Sequence, residues 1–90
     1  MKVSFSANAS RDLDQIVAYI ATDKAGAAQG VFDRIKAAAG QLSHFPGMGR
    51  AIGRGEMRLG IAQTPYALVY RVTPRGVLIL RIRHAAQNGR

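Results

Sequence analysis

The chain has 90 residues, of which 48% are hydrophobic, and a formal net charge of +8 at neutral pH. This length predicts a single domain over residues 1–90 with a core barely large enough for independent folding. The chain contains no cysteine, which excludes disulfides and thiolate metal sites. No stretch approaches the roughly 20 apolar residues of a membrane span, so we expect a cytoplasmic protein without a signal peptide or membrane contact.

The basic residues are unevenly distributed along the chain. Residues 46–90 contain eight arginines, no lysine and a single acid, Glu56, which gives this half a net charge of +7. The planar guanidinium of arginine binds carboxylates and phosphates through paired hydrogen bonds, which lysine cannot form. This composition predicts a surface for an anionic partner, either nucleic acid or an acidic protein segment.

The first half predicts a strand followed by two helices. Lys2–Ser6 alternates like a short strand, and both Ser6 and Asn8 are candidate N-caps for the first helix. Helical spacing is shown by Ala9, Leu13, Ile16, Val17 and Ile20, and the pattern breaks at residues 22–26.

The second helix is predicted from about Ala27 to Phe45, where Pro46 and Gly47 end it. The short connection between the two amphipathic helices predicts an antiparallel helical pair.

The second half predicts a loop and three strands. Residues 47–55 include four glycines and are predicted as a loop that presents Arg50. The strands are expected at Met57–Ile61, Tyr66–Thr73 and Val77 to about His84. Together the elements predict an α+β domain of order β-α-α-β-β-β, in which the helical pair covers one face of an antiparallel sheet.

The connection between the last two strands is predicted as a three-residue loop, Pro74–Gly76. This register pairs Thr73 with Val77, Arg71 with Ile79 and Val69 with Arg81. The helix-covered face would then hold Leu68, Tyr70, Val72, Leu78, Leu80 and Ile82. The opposite face would hold Ala67, Val69, Arg71, Ile79, Arg81 and Arg83. A two-residue loop would place arginines in the apolar face, which argues against it. The opposite face is therefore predicted to be a basic groove.

Several segments, in this order, resemble the RelE/ParE superfamily of bacterial toxins from type II toxin–antitoxin systems. They are "FS" before "ASRDLDQIVAYIA", then "FPGMGR", "MRLGIAQTPYALVYRV" and "VLILRIRHAAQ", and they cover almost the whole chain. The resemblance implies the same β-α-α-β-β-β fold with a helical hairpin on one face of an antiparallel sheet. It also implies an antitoxin partner that has a DNA-binding part and an acidic tail.

The superfamily divides into two activities. RelE-like members are ribosome-dependent messenger-RNA endonucleases that use basic residues on the open sheet face. Here Arg58 matches one of these positions, whereas Gly60 and Ala67 stand where two others would be. Because losing one charge-stabilising group typically slows such a reaction a hundredfold or more, the resemblance favours the ParE-like branch, whose members inhibit DNA gyrase without known catalysis.

The resemblance also implies candidate site residues. The antitoxin or target is expected to contact Arg50, Arg58, Arg71, Arg81, Arg83 and His84. In the alternative nuclease, Arg58, Arg83 and His84 would be catalytic, with His84 as acid or base. His84 shares its parity with Ile82, which places it on the helix side. No cofactor or metal is expected, and contact with DNA would come only through the antitoxin in a hetero-oligomer. A third alternative is a non-toxic relative that acts only in a repressor complex.

Overall fold

The computed structural model describes residues 1–85. Two helices and five strands follow in the order β1 (Val3–Phe5), α1 (Ala7–Asp23), α2 (Ala25–His44), β2 (Arg50–Gly53), β3 (Glu56–Gly60), β4 (Tyr66–Thr73) and β5 (Gly76–His84). The α+β class and the strand–helix–helix–strand order are confirmed, and one strand is added. Within the described residues, no helix is long and apolar enough to cross a membrane.

The first helix begins at Ser6, because the side chain of Ser6 accepts a hydrogen bond of 3.0 Å from the Ala9 amide. Ser6, rather than Asn8, is therefore the N-cap. Only Lys24 separates α1 from α2, so the break between the helices is shorter than the sequence pattern predicts. Thr22 continues the first helix, and the second begins at Ala25 instead of Ala27.

The sheet is mixed, which corrects the antiparallel prediction. Its strand order is β1-β5-β4-β3-β2, with β1 parallel to β5 and every other neighbouring pair antiparallel. A short hairpin forces antiparallel pairing, but a long connection leaves the direction open. Because nearly the whole domain separates β1 from β5, no tight turn decides their relative direction.

An additional strand lies inside the segment predicted as a loop. Residues Arg50–Gly53 form β2, which pairs with β3 and makes one edge of the sheet. The turn between them uses three consecutive positive φ angles, 105° at Gly53, 57° at Arg54 and 75° at Gly55. Two of the four glycines that suggest a loop, Gly53 and Gly55, therefore serve a tight hairpin turn.

The β4–β5 hairpin corrects the predicted register near its turn. Thr73 pairs with Gly76 across a two-residue loop, and Arg71 pairs with Leu78, so the predicted pairs Thr73–Val77 and Arg71–Ile79 are wrong. The predicted pair Val69–Arg81 is confirmed, because a bulge at Leu80 takes up one residue of β5.

The bulge also explains how a two-residue loop keeps arginines out of the core. Val77 and Ile79 face the helices before the bulge, Ile82 faces them after it, and all three are buried. Ile79 thus belongs to the helix-covered face and Leu78 to the opposite, open face. The shared core consists of Ala9, Leu13, Ile35, Ala38, Ala39, Leu42, Ile61, Leu68, Tyr70, Val77, Ile79 and Ile82.

Candidate partner-binding surface

Three arginines occupy one row across the open face of the sheet. Arg50 on β2 stands opposite Arg58 on β3, Arg58 stands opposite Val69, and Val69 stands opposite Arg81 on β5. We call these four positions the arginine row. Val69, in the middle, is buried and supplies an apolar floor.

The adjacent cations Arg50 and Arg58 are unfavourable for the isolated fold, because like charges directly opposite each other destabilise a sheet. In the described strands the only acid is Glu56, and its Oε2 accepts a hydrogen bond of 3.3 Å from Arg71. An anionic group bound at this edge of the sheet would pair with both guanidinium groups.

Arg71 is held by the β2–β3 hairpin. Its Nη2 donates to Glu56 and also to the backbone carbonyl of Arg54, both at 3.3 Å. This pair is about one-third exposed on the glutamate side and somewhat more on the arginine side. Arg71 therefore fastens the tip of the β2–β3 hairpin to β4, in addition to contributing charge to the open face.

Arg81 ends the arginine row at the edge of β5 and is bound within the domain. Its Nε and Nη2 donate to the two oxygens of Asp12 on α1 at 2.8 and 3.1 Å. The Ile82 amide donates to the same carboxylate at 2.9 Å. Arg81 therefore occupies the last position of the arginine row and also pins α1 to the strand just beyond the Leu80 bulge.

The environment of Asp12 acts on its ionisation in two opposing ways. Partial burial alone would raise the pKa of Asp12, but the hydrogen bonds from Arg81 and Ile82 and the charges of Arg81 and Arg83 together lower it. The same pairing raises the pKa of Arg81. Asp12 therefore stays ionised at neutral pH as the acceptor of three hydrogen bonds.

Tyr70 fixes the position of Arg50. This tyrosine is fully buried, and its hydroxyl donates to the Pro46 carbonyl at 2.7 Å and accepts from the Gly49 amide at 2.9 Å. A Cβ at Gly49 would lie only 2.7 Å from both the Arg58 carbonyl and the Tyr70 hydroxyl. These contacts hold the segment "FPGMGR" against the core. Arg50 is its last residue and follows Gly49, so its backbone position is fixed by the same contacts.

Arg83 and His84 lie at the far end of β5. Arg83 is exposed opposite Ala67 on the open face, whereas His84 pairs with Tyr66, on the helix-covered side that its parity predicts. The rings of His84 and Tyr66 meet edge to face, with centroids 5.5 Å apart. Burial, and secondarily the nearby Tyr19, raise the pKa of Tyr66.

A cleft of about 340 Å³ separates α1 from this end of β5. It is lined by Asp12, Gln15, Ile16, Tyr19, Tyr66, Arg81, Ile82, Arg83 and His84. The rest of the segment predicted to reach a target, residues 86–90, lies outside the described residues.

The three residues of the nuclease alternative do not share one face. Arg58 and Arg83 are on the open face, in adjacent rows, and His84 is on the other side of β5. The row that contains Arg83 continues through Ala67 to Gly60, so it carries one cation. Among residues 1–85, no group of three potential metal-ligating side chains comes together.

Two functional contributions were missed by sequence reasoning. Asp12 was not among the predicted site residues, because its partners on β5 are about 70 residues away in the sequence. Tyr70 was assigned to the core by its alternation, but nothing in the local pattern indicated that its hydroxyl would hold the loop after α2.

Comparison with known proteins decides the family. Residues 3–89 match the family described as the ParE toxin of the type II toxin–antitoxin system parDE. The chain belongs to the ParE toxin family. It is 39% identical over 88 residues to a protein of Sinorhizobium fredii named as a toxin, Y4kP, with 96% of this chain and 90% of that protein covered.

Further relatives carry the names of both branches of the superfamily, RelE and ParE. The Caulobacter vibrioides toxin RelE2 is 36% identical over 86 residues, covering 96% of this chain and 97% of that protein. Among solved structures, the chromosomal ParDE system of P. aeruginosa matches with a TM-score of 0.83 at 24% identity, covering 93% of this chain and 95% of that one. The RelBE2 toxin–antitoxin complex of Mycobacterium tuberculosis matches with a TM-score of 0.62 at 28% identity, covering 92% and 95%. The chain is therefore a toxin of the RelE/ParE superfamily.

Proposed function

We propose that this ParE-family toxin inhibits DNA gyrase and is neutralised by an acidic antitoxin. The observation that carries the proposal is the arginine row, in which Arg50 and Arg58 stand directly opposite each other on the open face of the sheet. A sheet keeps such a pair at a cost in stability, and an anionic partner offsets that cost.

The open face of the sheet offers few charged groups that could stabilise a reacting phosphate. This favours inhibition of gyrase over cleavage of RNA. In-line attack by a ribose hydroxyl needs several groups placed around the reacting phosphate to stabilise its developing charge. Gly60 and Ala67 pair with each other next to Arg83, so this row offers a single guanidinium. A protein that acts by binding to its target does not require this constellation.

The antitoxin partner is supported by charge and by the relatives. The chain carries +8, and its second half carries nearly all of that charge. The two solved structures described above are toxin–antitoxin systems. An acidic antitoxin segment would pair with the arginine row and, by binding only the folded toxin, would stabilise this small domain. Contact with DNA would come through the antitoxin.

The experiment that tests this function uses the purified chain and purified gyrase. Supercoiling of relaxed plasmid is expected to fall as the toxin is added. It should recover when the candidate antitoxin, a small acidic protein encoded by the neighbouring reading frame just upstream, is added in equal amount. Undiminished supercoiling at a large excess of toxin over gyrase would refute the gyrase proposal. Failure of the neighbouring product to restore supercoiling would refute its role as antitoxin.

A second candidate function, endoribonuclease activity, has one specific observation in its favour. His84 and Arg83 line the same cleft as Tyr66, although they leave β5 on opposite sides. The relative RelE2 carries the name of the nuclease branch. Cuts in ribosome-bound messenger RNA that disappear in His84→Ala would favour this candidate.

The third alternative is a non-toxic relative. A chain that arrests neither replication nor translation would act only in a repressor complex.

A further inference from the structure

The cleft between α1 and the end of β5 has two walls of different origin. One wall is the end of β5, residues 81–84, together with Tyr66 from β4. The other wall is a single stripe of α1, whose members recur at the three- and four-residue spacing of one helix face: Asp12, Gln15, Ile16 and Tyr19. We call this surface the α1–β5 cleft.

The cleft exists because β1 is short, and it is held open by contacts within the domain. β1 pairs only with Val77–Ile79, so α1 rather than a strand lies beside the rest of β5. The Ser6 hydroxyl donates to the Leu80 carbonyl at 2.9 Å, and the Asp12 carboxylate accepts from the Ile82 amide at 2.9 Å. These contacts fix the distance between the two walls. A preformed site costs a partner less free energy to order on binding.

Three rings and an arginine lie together at the far end of the cleft. Tyr19 is 75% exposed, more than any other large apolar side chain among residues 1–85, and it lies close enough to Tyr66 to help raise the pKa of that residue. The rings of Tyr66 and His84 meet edge to face, and Arg83 lines the same space. A solitary exposed tyrosine is ordinary. Tyrosine and arginine grouped in a pocket have the composition of the residues that dominate binding in protein interfaces.

The size and charge of the cleft restrict its occupant. A volume of about 340 Å³ admits a ring-sized side chain rather than a whole helix or strand. Asp12 neutralises Arg81, which leaves the charge of Arg83 and a net charge of +1 in the cleft. One positive charge suits a single carboxylate, whereas a nucleic acid strand needs a track of cations along its phosphates. The cleft therefore fits a protein segment better than DNA.

We propose that the α1–β5 cleft receives an aromatic side chain from an acidic segment of gyrase, with a neighbouring carboxylate of that segment paired to Arg83. This inference rests on the gyrase function proposed above. It adds a wall of α1, and Tyr19 in particular, to the end of β5 as the surface that contacts the target.

The first test removes the exposed ring from the cleft. Tyr19→Ala should raise the toxin concentration needed for half-inhibition of supercoiling at least tenfold, whereas Tyr19→Phe keeps the ring and should stay within threefold of the wild type. Phe45→Ala is the matched control, because this ring is 65% exposed and does not line the cleft. It should stay within twofold. Thermal melting checks that each variant is folded, as expected for changes at exposed positions.

The second test changes the charge of the cleft. Gln15→Glu places a carboxylate at an exposed lining position and should weaken inhibition at least tenfold by repelling an acidic occupant. Gln15→Lys should inhibit more strongly than Gln15→Glu. Asn8→Asp makes the same neutral-to-acidic change at an exposed position of α1 outside the cleft, and its inhibition should be unchanged.

Calorimetry with DNA-free gyrase separates a protein occupant from DNA. The affinity of Tyr19→Ala for DNA-free gyrase should fall by at least the same factor as its inhibition. Inhibition that requires Tyr19 without any such loss of affinity would place the occupant in the DNA and overturn the inference. Equal inhibition by the wild type, Tyr19→Ala and Gln15→Glu would overturn the cleft while leaving gyrase as the target. Absence of inhibition by the wild type would refute the gyrase function, and the inference with it.

Discussion

Asp12 and Arg81 join the first helix to the last strand through two hydrogen bonds of 2.8 and 3.1 Å, across 69 residues of sequence. The Asp12 carboxylate also accepts the Ile82 amide, at the edge of β5 that β1 leaves open, since β1 pairs only with Val77–Ile79. An outward-facing amide at an open edge invites pairing with another chain. Asp12 therefore both anchors α1 and closes this part of the edge.

Replacing Asp12 with asparagine should destabilise the fold by about 1.5–3 kcal/mol at neutral pH, the typical range for hydrogen bonds to charged groups. The change retains the shape but loses the charge that Arg81 pairs with. The free energy of unfolding in urea would be compared with that of Asp14→Asn, a matched change at an exposed aspartate of the same helix. Equal stabilities of the two variants would contradict the anchoring role.

The same contact predicts a pH dependence. Because the folded state lowers the pKa of Asp12, its contribution is fully present above the unfolded-state pKa of about 3.9 and is lost as the pH falls through the folded-state pKa. The difference in unfolding free energy between the wild type and Asp12→Asn should therefore shrink in acid, below about pH 4. A difference that stays constant between neutral and strongly acidic pH would contradict this assignment.

Gly49 and Gly47 provide a matched pair in the loop after α2. Gly49→Ala should destabilise by about 1–3 kcal/mol, the range for overpacking, because the new methyl would press against the Arg58 carbonyl and the Tyr70 hydroxyl. Gly47→Ala should change stability by no more than about 0.5 kcal/mol, because nothing lies within 4 Å of its Cβ position. Thermal or urea unfolding checks both, and similar costs for both would contradict the tie between loop and sheet.

Removing the Tyr70 hydroxyl should loosen the loop without unfolding the core. Tyr70→Phe keeps the buried ring but loses the bonds to Pro46 and Gly49, at a cost of about 1 kcal/mol. The Gly49 amide should then exchange its hydrogen faster, as measured by NMR. Tyr66→Phe, on the same strand, is the control, and unchanged Gly49 exchange in Tyr70→Phe would exclude the proposed tie.

The sequence was sufficient for the elements whose signals are local. The β4 bounds agree with the prediction, because Pro65 and Pro74 mark turns on either side of the strand, and Ser6 was one of the two predicted N-caps. The parity of His84 was also correct, because it depends on strand alternation rather than on the turn.

The features that the sequence did not predict depend on distant contacts. The bulge at Leu80 adds one unpaired residue to β5, so that apolar side chains face the helices on both sides of it despite the two-residue turn. No local sequence signal marks the bulge. The β2 strand is exposed at every position and carries one large apolar side chain, Ile52, so alternation could not indicate it. For the candidate site, the sequence located the arginines, but only the register shows that Arg50 faces Arg58 and that Arg81 is engaged by Asp12.

The end of β5 is proposed to contact the target. Arg83→Glu should weaken inhibition of gyrase at least tenfold while leaving the melting temperature nearly unchanged, because Arg83 is exposed. Arg75→Glu, an exposed arginine in the β4–β5 turn at the other end of the strand, is the control with the same change in net charge. Deleting residues 87–90 should act like Arg83→Glu. If Arg75→Glu and Arg83→Glu lose activity equally, overall charge rather than this end of β5 governs inhibition.

The most direct measurement compares the two possible targets with one preparation of the toxin. Purified wild-type protein and His84→Ala would each be added to a gyrase supercoiling reaction and to a ribosomal translation reaction whose messenger RNA is mapped for new 5′ ends. The predicted result is that the wild type inhibits supercoiling and that neither protein cuts the message. Uninhibited supercoiling, together with message cuts that the wild type makes and His84→Ala does not, would contradict the proposed function.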